Sequence, residues 1–421
     1  MSTPGAAAAA ASTFVPAPPA GQAPPPPPNP LKRKYDEVIS ALGEAPVKKS
    51  SRGRRAPLET KSQLDKLLSM ARFFPRGVNP FLDLGLAMTL GSTTRWGAAS
   101  SLPSGNPVAT STNAAAPISD LDTKYIEAFN SMLAISPDSA EILRELYKND
   151  DQWARILAKF RDAAAGARQG DTNGLKHKLK YLPSDSTMPI VPAIQDSESK
   201  SDRGINHPML RDAIIPWSLR LVINAPAPTE TETEEDAEEP EAVRALNALL
   251  FTGKLLNGKP ALTAGRFPSC FYGDGQYDPL APEVGLLRSL FLLRVLRHIW
   301  TTPSSAMDGA TKLKQISNAR AHGQLIITPP MIAYGCCQAR TMLSTSEWKR
   351  KDGKYNYERL FDAVVELFKN PAGAWTIETL AWYQKGVFGA CGTTGADNSD
   401  SEDEDSEISV IAARSSASSD S

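Results

Sequence analysis

The chain has 421 residues with a formal net charge of −1, and this length allows two or three domains. Three long low-complexity stretches reduce the part that can fold, although residues 58–389 still allow a sizeable buried core. There are only four cysteines, and no basic segment precedes the N-terminal alanine run. Both features favour an intracellular protein with reduced thiols over a secreted, disulfide-bonded one.

The near-zero net charge hides a strong asymmetry along the chain. Residues 1–55 carry eight basic and three acidic residues, whereas residues 229–241 carry eight acidic residues and no basic one. Residues 397–421 carry eight acidic residues and one arginine, which leaves the rest of the chain with a net charge of +9. A basic body with two acidic segments can bind nucleic acid or its own acidic segments, and both alternatives stay open.

Residues 1–57 are rich in proline and alanine, a composition that predicts a disordered basic arm. The arm contains two basic clusters thirteen residues apart, namely Lys32, Arg33 and Lys34, then Lys48, Lys49, Arg52, Arg54 and Arg55. This spacing resembles a bipartite nuclear localisation signal, in which an extended peptide places its cations in acidic grooves of an import receptor. We therefore expect a nuclear protein that binds an import receptor. The alternative is a solvated arm on a cytoplasmic protein, or one that contacts nucleic acid non-specifically.

Apolar residues recur at helical spacing through most of residues 58–389, which predicts a mainly α, irregular multi-helix domain. The clearest unit is three consecutive helices with short joints, whose starts lie near Ser119, Ser136 and Asp150. Residues 166–180 predict a turn followed by a basic amphipathic helix. Within the domain, the compositions of residues 91–118 and 225–241 predict disordered segments.

The stretch 283–300, EVGLLRSLFLLRVLRHIW, predicts the buried helix around which the domain is built. It is apolar nearly all round, so neighbouring helices must cover it. Arg288, Arg294 and Arg297 interrupt the apolar run. Three arginines would be very costly inside one membrane span, so the sequence predicts no membrane partner.

The cations of this predicted helix are the most functional-looking side chains of the body. Arg294, Arg297 and His298 gather on one sector, and Arg288 lies one turn or more away. Buried arginines need partners because an unpaired buried charge is expensive. Two alternatives follow, an anion pocket for a phosphate or acidic peptide, or internal ion pairs with carboxylates such as Asp362 or Glu366.

No sequence motif predicts catalysis, a cofactor or a metal site. The phosphate-binding loop and the nucleophile elbow are absent, and no cysteine pair has zinc-site spacing. The four histidines are isolated, namely His177, His207, His298 and His322. An acid–base cluster of His207 with Asp202 and Arg203 is conceivable, but a turn histidine more simply binds backbone carbonyls. We expect a non-enzymatic protein without cofactor or metal.

Residues 390–421 predict a disordered acidic tail. Ser399 and Ser401 each precede an acidic residue by three positions, which is the pattern that acidophilic kinases prefer. The quartet Ile408-Ser409-Val410-Ile411 follows. Beside acidic residues, its apolar members Ile408, Val410 and Ile411 resemble a SUMO-interacting motif, which adds a strand to its partner's sheet. The alternative is a solubilising tail.

Four segments of the body resemble one known domain. They are GARQGDTNGLK (166–176), RGINHP (203–208), YDPLAPEVGLLRSLFLLRVLRHIWTTPSSA (277–306) and ARTMLSTSEWKRKDGKYNYERLFDAVVELF (339–368). Together they resemble a domain of unknown function that is expanded in mushroom-forming basidiomycete fungi. The resemblance covers roughly residues 70–389. It implies a helical, lineage-restricted, intracellular protein and assigns no catalytic residue.

These observations predict a nuclear, mainly helical, non-enzymatic protein-interaction protein. One alternative is a nucleic-acid- or chromatin-associated factor linked to fungal mobile elements, and another is an enzyme of unrecognised type. An uncharged apolar groove would favour an interaction protein, and a lopsided basic surface would favour nucleic acid. A deep pocket with converging carboxylates or histidines would favour an enzyme.

Overall fold

The computed structural model describes residues 29–43, 62–97, 119–183, 188–194, 199–224, 251–255, 257, 261–273, 277–308 and 317–389. This part of the chain is mainly helical, as the sequence predicts. The helices are α1 (Pro30–Gly43), α2 (Gln63–Gly77), α3 (Leu84–Trp96), α4 (Asp120–Ile135), α5 (Pro137–Tyr147), α6 (Asp150–Lys176), α7 (Pro208–Ile214), α8 (Trp217–Asn224), α9 (251–255), α10 (Leu290–Trp300), α11 (Ser305–Asp308), α12 (Asn318–His322), α13 (Pro329–Leu343), α14 (Tyr357–Glu366) and α15 (Ala374–Phe388). Short 3₁₀ turns span Leu179–Tyr181, Gly204–Asn206 and Ser269–Phe271.

Strands β1 (Lys351–Asp352) and β2 (Tyr355–Asn356) form an antiparallel hairpin that the sequence analysis did not predict. Gly353 takes the left-handed conformation with φ 59°, as the first residue of a two-residue hairpin turn requires. Glycine at the first loop position, here in Gly353-Lys354, is the sequence signal of a type II′ hairpin turn. The helical spacing of apolar residues on both sides of this turn predicted helices alone.

The described helices enclose two apolar cores. Buried side chains of α1 to α5 and of the first half of α6 form the N-terminal core, in which Phe129 and Phe160 are fully buried. A second, C-terminal core surrounds α10 and α13 and includes Trp300 and Tyr334. Helix α6 contributes to both cores, because Leu175 near its end belongs to the second.

The predicted central helix is present but shorter than 283–300. Ser289 caps α10 by accepting a hydrogen bond from the Leu292 amide at 3.2 Å, so the helix starts at Leu290. The preceding residues form turns, in which Gly285 and Leu287 have φ values of 73° and 61° that a right-handed helix does not allow. Helix α13 lies against α10 at Gly335, where a Cβ atom would come within 2.6 Å of Leu296.

Residues 30–43, expected within a disordered arm, form α1. Its Val38 and Leu42 are buried in the N-terminal core, and the Tyr35 hydroxyl donates to Gln152 at 2.5 Å. Leu31, Tyr35, Val38 and Leu42 already form a helical stripe in the sequence. Packing of that stripe outweighs the composition of the flanking residues.

Two further boundaries differ from the sequence prediction. Residues 91–96, expected in a disordered segment, complete α3, and buried Trp96 packs against Phe129 with ring centroids 5.5 Å apart. Residues 166–176, expected to begin with a turn, continue α6 without a break. Gly166 and Gly170 lie on its exposed side, so the buried side maintains the helix. Residues 98–118 and 225–241 lie outside the described residues.

Candidate binding cleft and the predicted cationic residues

The buried arginine of α10 binds backbone carbonyls of the same chain. Arg294, 4% exposed, donates to the carbonyl oxygens of Tyr181 at 3.0 Å and of Pro183. Its neighbour Arg297 donates to the Gly386 carbonyl at 2.6 Å. Carbonyl oxygens at these distances compensate for much of the hydration that a buried guanidinium loses.

Arg288 has a different environment because it precedes α10. Its Nη2 donates to the Glu378 carboxylate at 3.0 Å and to the Thr379 hydroxyl at 3.2 Å. The ion-pair partners suggested by the sequence were wrong, since Asp362 pairs with Lys124 at 3.5 Å and Glu366 with Lys369 at 2.6 Å. Arg288, Arg294 and Arg297 thus all bind groups of the same chain. This arrangement favours internal bonding over an anion pocket.

His298 is a neutral side chain rather than a cation. The Tyr181 hydroxyl donates to the Pro303 carbonyl at 3.2 Å, so the His298 Nδ1–H donates to that hydroxyl oxygen at 3.1 Å. Burial lowers the pKa of His298 to about 4. At neutral pH, His298 therefore adds no charge to an anion site.

The turn that contains His207 holds the chain in place. His207 Nε2–H donates to the Pro192 carbonyl at 2.7 Å, and Nδ1 accepts from the Leu210 amide at 3.3 Å, which caps α7. The nearby Arg203 donates to the Met342 carbonyl at 2.9 Å. These bonds support the prediction of a turn histidine over the acid–base cluster.

Buried Lys200 belongs to the same turn region and lies at the end of α13. It donates to the carbonyls of Thr341 at 2.7 Å and Ser346 at 2.6 Å. Burial lowers the pKa of Lys200 to about 8. A cation at this end of α13 compensates the carbonyls that have no intrahelical partner.

The remaining predicted sites are only partly described. Lys32, Arg33 and Lys34 lie on the first turn of α1, where Lys32 and Arg33 are exposed. Three other predicted sites lie outside the described residues. They are the second basic cluster (Lys48, Lys49, Arg52, Arg54 and Arg55), the two tail serines (Ser399 and Ser401) and the apolar residues of the tail (Ile408, Val410 and Ile411).

A cleft of about 530 Å³ lies where α7, α8 and the start of α10 meet. Its lining is mainly apolar, and the apolar side chains Leu182, Met209, Leu290 and Phe291 are called its floor here. This volume is typical of small-ligand or side-chain pockets in proteins. No sequence pattern predicts that these separated segments form one site.

The aromatic wall of the cleft is a stack on Trp217. The guanidinium of Arg220 lies 4.6 Å from the centre of the Trp217 ring. The ring of Tyr277 is parallel to it within 6° at 6.2 Å, and Tyr272 meets Tyr277 edge-on at 5.3 Å. The Trp217 Nε1–H is buried and has no hydrogen-bond partner among the described residues. A buried donor without a partner is costly. An acceptor oxygen of a ligand reaches this N–H only when the side chains that cover it move aside.

The other polar groups of the cleft are engaged in the fold. Asp212 accepts from Arg211 Nε at 2.8 Å, the Ser269 hydroxyl donates to the Ala213 carbonyl at 3.2 Å, and Ser289 caps α10. Burial raises the pKa of the Cys270 thiol, so the nucleophilic thiolate is disfavoured. Among its described lining residues the cleft has one carboxylate and no histidine. Among the described residues it is therefore an apolar groove with one lining cation, Arg220, which stacks on Trp217.

The hairpin β1–β2 carries the densest group of cations in the described body. Five basic residues lie between positions 349 and 359. Lys349 pairs with Asp352 at 3.1 Å and Arg350 with Glu358 at 3.4 Å, whereas Lys351 and Lys354 are exposed. Two of the five charges are thus partly neutralised.

Within the described residues, no three or more His, Cys, Asp or Glu side chains are grouped so that they could hold a metal ion. None of the described helices combines the length and the apolar character that a membrane crossing needs.

Comparison with known proteins places the C-terminal core in a family. A family model, described as a family of unknown function (DUF6698), matches residues 162–388. The resemblance in the sequence was expected to begin near residue 70, but the family match begins at residue 162. Helices α1 to α5 therefore precede the matched range. No curated protein and no solved structure matches the chain. The cleft and the hairpin both lie within the matched range, and the chain belongs to the DUF6698 family.

Proposed function

We propose that this protein is a non-enzymatic protein-interaction protein, and that the cleft beside Trp217 binds an acidic, apolar segment of a partner protein. The observation that carries the proposal is the combination of an apolar floor with a buried, unpartnered indole N–H and the Arg220 guanidinium. A peptide supplies matching groups, since an apolar side chain fills the floor and a carboxylate pairs with Arg220. Its carbonyl accepts from the Trp217 N–H once the side chains that cover this N–H move aside.

An enzymatic role has less support at this site. The cleft's serines and its aspartate already have backbone or side-chain partners, and burial raises the pKa of the Cys270 thiol, which disfavours the thiolate. A serine nucleophile needs a general base beside it, whereas the printed bonds of the two cleft serines go to backbone groups of the described residues.

Nucleic-acid or chromatin association, linked to fungal mobile elements, is the second candidate. The exposed Lys351 and Lys354 of the hairpin favour it, because cations on a protruding turn can reach phosphates. Anisotropy of labelled duplex DNA would test it with the double variant Lys351→Glu/Lys354→Glu. The control is Lys124→Glu, which changes an exposed cation of α4.

We further propose that the protein acts in the nucleus of mushroom-forming basidiomycete fungi. The two basic clusters between Lys32 and Arg55 support nuclear import, and the resemblance of four sequence segments supports the fungal origin. In the tail, we propose phosphorylation at Ser399 and Ser401 and SUMO binding through Ile408, Val410 and Ile411.

Selection from a displayed library of short random peptides tests the binding role of the cleft. We expect the full chain to enrich peptides in which an acidic residue lies beside apolar residues. Their affinity should fall about tenfold in Trp217→Phe, which removes the indole N–H and keeps an aromatic ring, and in Arg220→Leu, since one charge-assisted hydrogen bond has about that effect. Arg155→Leu, an exposed arginine of α6, is the matched control. Peptides that bind all variants equally would refute the proposal.

A further inference from the structure

An exposed turn next to the cleft presents a large apolar side chain. Leu280 is 94% exposed, the largest exposed fraction among the described large hydrophobic residues. The turn is closed by a hydrogen bond from the Ala281 amide to the Asp278 carbonyl at 3.1 Å. The Asp278 carboxylate also accepts from the Leu280 amide at 2.8 Å. Pro279 and Pro282 flank the leucine and restrict its backbone.

Single exposed leucines are common on protein surfaces and need no explanation. Leu280 differs because its turn is pre-organised and continues into Val284, which is 47% exposed. The Glu283 carbonyl accepts from Trp375 Nε1 at 3.1 Å, so the end of the turn is fixed to α15. A rigid apolar projection loses little conformational entropy when it enters a pocket.

The turn begins at the wall of the cleft. Tyr277, the residue before Asp278, is the ring that stacks on Trp217. Leu280 nevertheless remains almost fully exposed, so it does not fill the cleft of its own molecule. Leu280 therefore lies three residues from a ring that packs against the cleft residue Trp217, and its side chain is open to a second molecule.

The charges of the two surfaces are complementary. Arg220 lies at the cleft, whereas the turn is flanked by the exposed residues Asp278 and Glu283. The Asp278 carboxylate is used inside the turn, which leaves Glu283 as the acidic group for a partner's arginine. The turn has the acidic and apolar chemistry that the cleft is proposed to bind.

We propose that two copies of this chain associate by placing Leu280 of each copy in the cleft of the other, with Glu283 of each near Arg220 of the other. The inference rests on the proposed function, because it names a second copy as a partner for the cleft. Two identical contacts across a two-fold axis form a closed dimer, and the proximity of the turn to the cleft allows both contacts on one face.

Sedimentation velocity of the full chain over a range of concentrations tests this inference. We expect a concentration-dependent dimer in wild type and in Leu121→Asp, a control that changes a leucine of α4 that is 57% exposed. Leu280→Asp should shift the dissociation constant at least tenfold, because it places a charge in the apolar floor. Leu280 is exposed in the monomer, so thermal unfolding of Leu280→Asp should match that of wild type at a concentration at which both are monomeric.

A charge exchange provides the specific readout. Arg220→Glu should weaken the dimer, and adding Glu283→Arg to the same chain should restore it, since each contact then has opposite charges again. A chain that is monomeric throughout, or a dimer that Leu280→Asp leaves intact, overturns the inference. If the chain is monomeric while displayed peptides still require Trp217 and Arg220, the self-association is wrong and the proposed function stands.

Discussion

Arg76 and Asp171 form a bidentate ion pair that joins the two apolar cores. Arg76 Nε and Nη2 each donate to one carboxylate oxygen of Asp171 at 2.7 Å, and both residues are 6% exposed. The Tyr334 hydroxyl donates to the same carboxylate at 2.9 Å. Helices α2 and α6 are thereby connected to α13, so the pair fixes the family's core against the N-terminal helices.

The network continues from Arg76 to His322. Arg76 Nη1 has only hydrogens to offer, so His322 Nε2 accepts from it at 3.1 Å. His322 Nδ1 then carries the proton and donates to the Ser69 hydroxyl at 3.0 Å, which donates to the Ala321 carbonyl at 2.8 Å. This tautomer satisfies every one of these contacts, which explains the burial of an isolated histidine.

We predict that Asp171→Asn strongly destabilises the protein. The variant leaves Arg76 buried without its counter-charge, which costs about 3–5 kcal/mol of unfolding free energy. Urea unfolding at neutral pH measures the change. The control is Asp362→Asn, which removes an exposed ion pair with Lys124 and should change the free energy by less than about 1 kcal/mol. Equal effects of the two variants would contradict the role of the buried pair.

The stability of the protein should decrease as the pH falls from about 6.5 to about 4, in part because of His298. Its pKa is lowered from 6.5 to about 4 in the folded state, so in this range the unfolded state binds a proton that the folded state does not. The loss from this group reaches at most about 3 kcal/mol at the lower end of the range. His298→Gln, which cannot titrate, should show a flatter dependence in thermal unfolding measured across this pH range. An unchanged slope would show that His298 titrates normally.

Two glycine substitutions should have opposite effects. In Gly335→Ala the new Cβ would lie 2.6 Å from a Leu296 methyl carbon, so Leu296 must shift or α10 and α13 must separate, at a cost of about 1–3 kcal/mol. In Gly166→Ala nothing lies within 4 Å of the new Cβ, and the higher helix propensity of alanine should stabilise α6 by about 0.5–1 kcal/mol. Thermal unfolding of both variants checks the close approach of α10 and α13. Destabilisation by Gly166→Ala would show that α6 is not continuous there.

Residues 1–57 fused to a fluorescent reporter should direct it to the nucleus. Alanine at Lys48, Lys49, Arg54 and Arg55 should abolish import, because an import receptor needs these charges. Alanine at Lys32 and Arg33 separates two possibilities, since a bipartite signal loses import and a single-cluster signal keeps it. Fluorescence microscopy gives the readout, and a reporter that stays in the cytoplasm before any substitution contradicts nuclear localisation.

Local signals were sufficient to predict several helices. The starts of α4 and α5 match the predicted positions, where Ser119 accepts from the Asp122 amide and Pro137 follows Ser136. The failures occur where signals compete. The composition of the N-terminal arm predicts disorder at α1 although its sequence also carries the apolar stripe. The glycines of α6 predict a turn although its apolar residues keep helical spacing.

The candidate site could not be predicted from the sequence for a different reason. Its walls come from segments around residues 182, 209–220, 269–272 and 289–291, and only the tertiary fold brings them together. The Arg76–Asp171 pair likewise joins residues 95 positions apart. A buried arginine predicts that partners exist, but the sequence does not show which carbonyl or carboxylate lies beside it in the fold.

Hydrogen–deuterium exchange of the full chain with a selected acidic, apolar peptide tests the central claim most directly. We predict that amides of residues 208–220, 269–273 and 289–293 become protected, because these segments surround the cleft. Trp217→Phe should reduce the protection at the same peptide concentration. Protection confined to the hairpin region 349–359, or none in the three cleft segments, would contradict the claim that the cleft is the binding site.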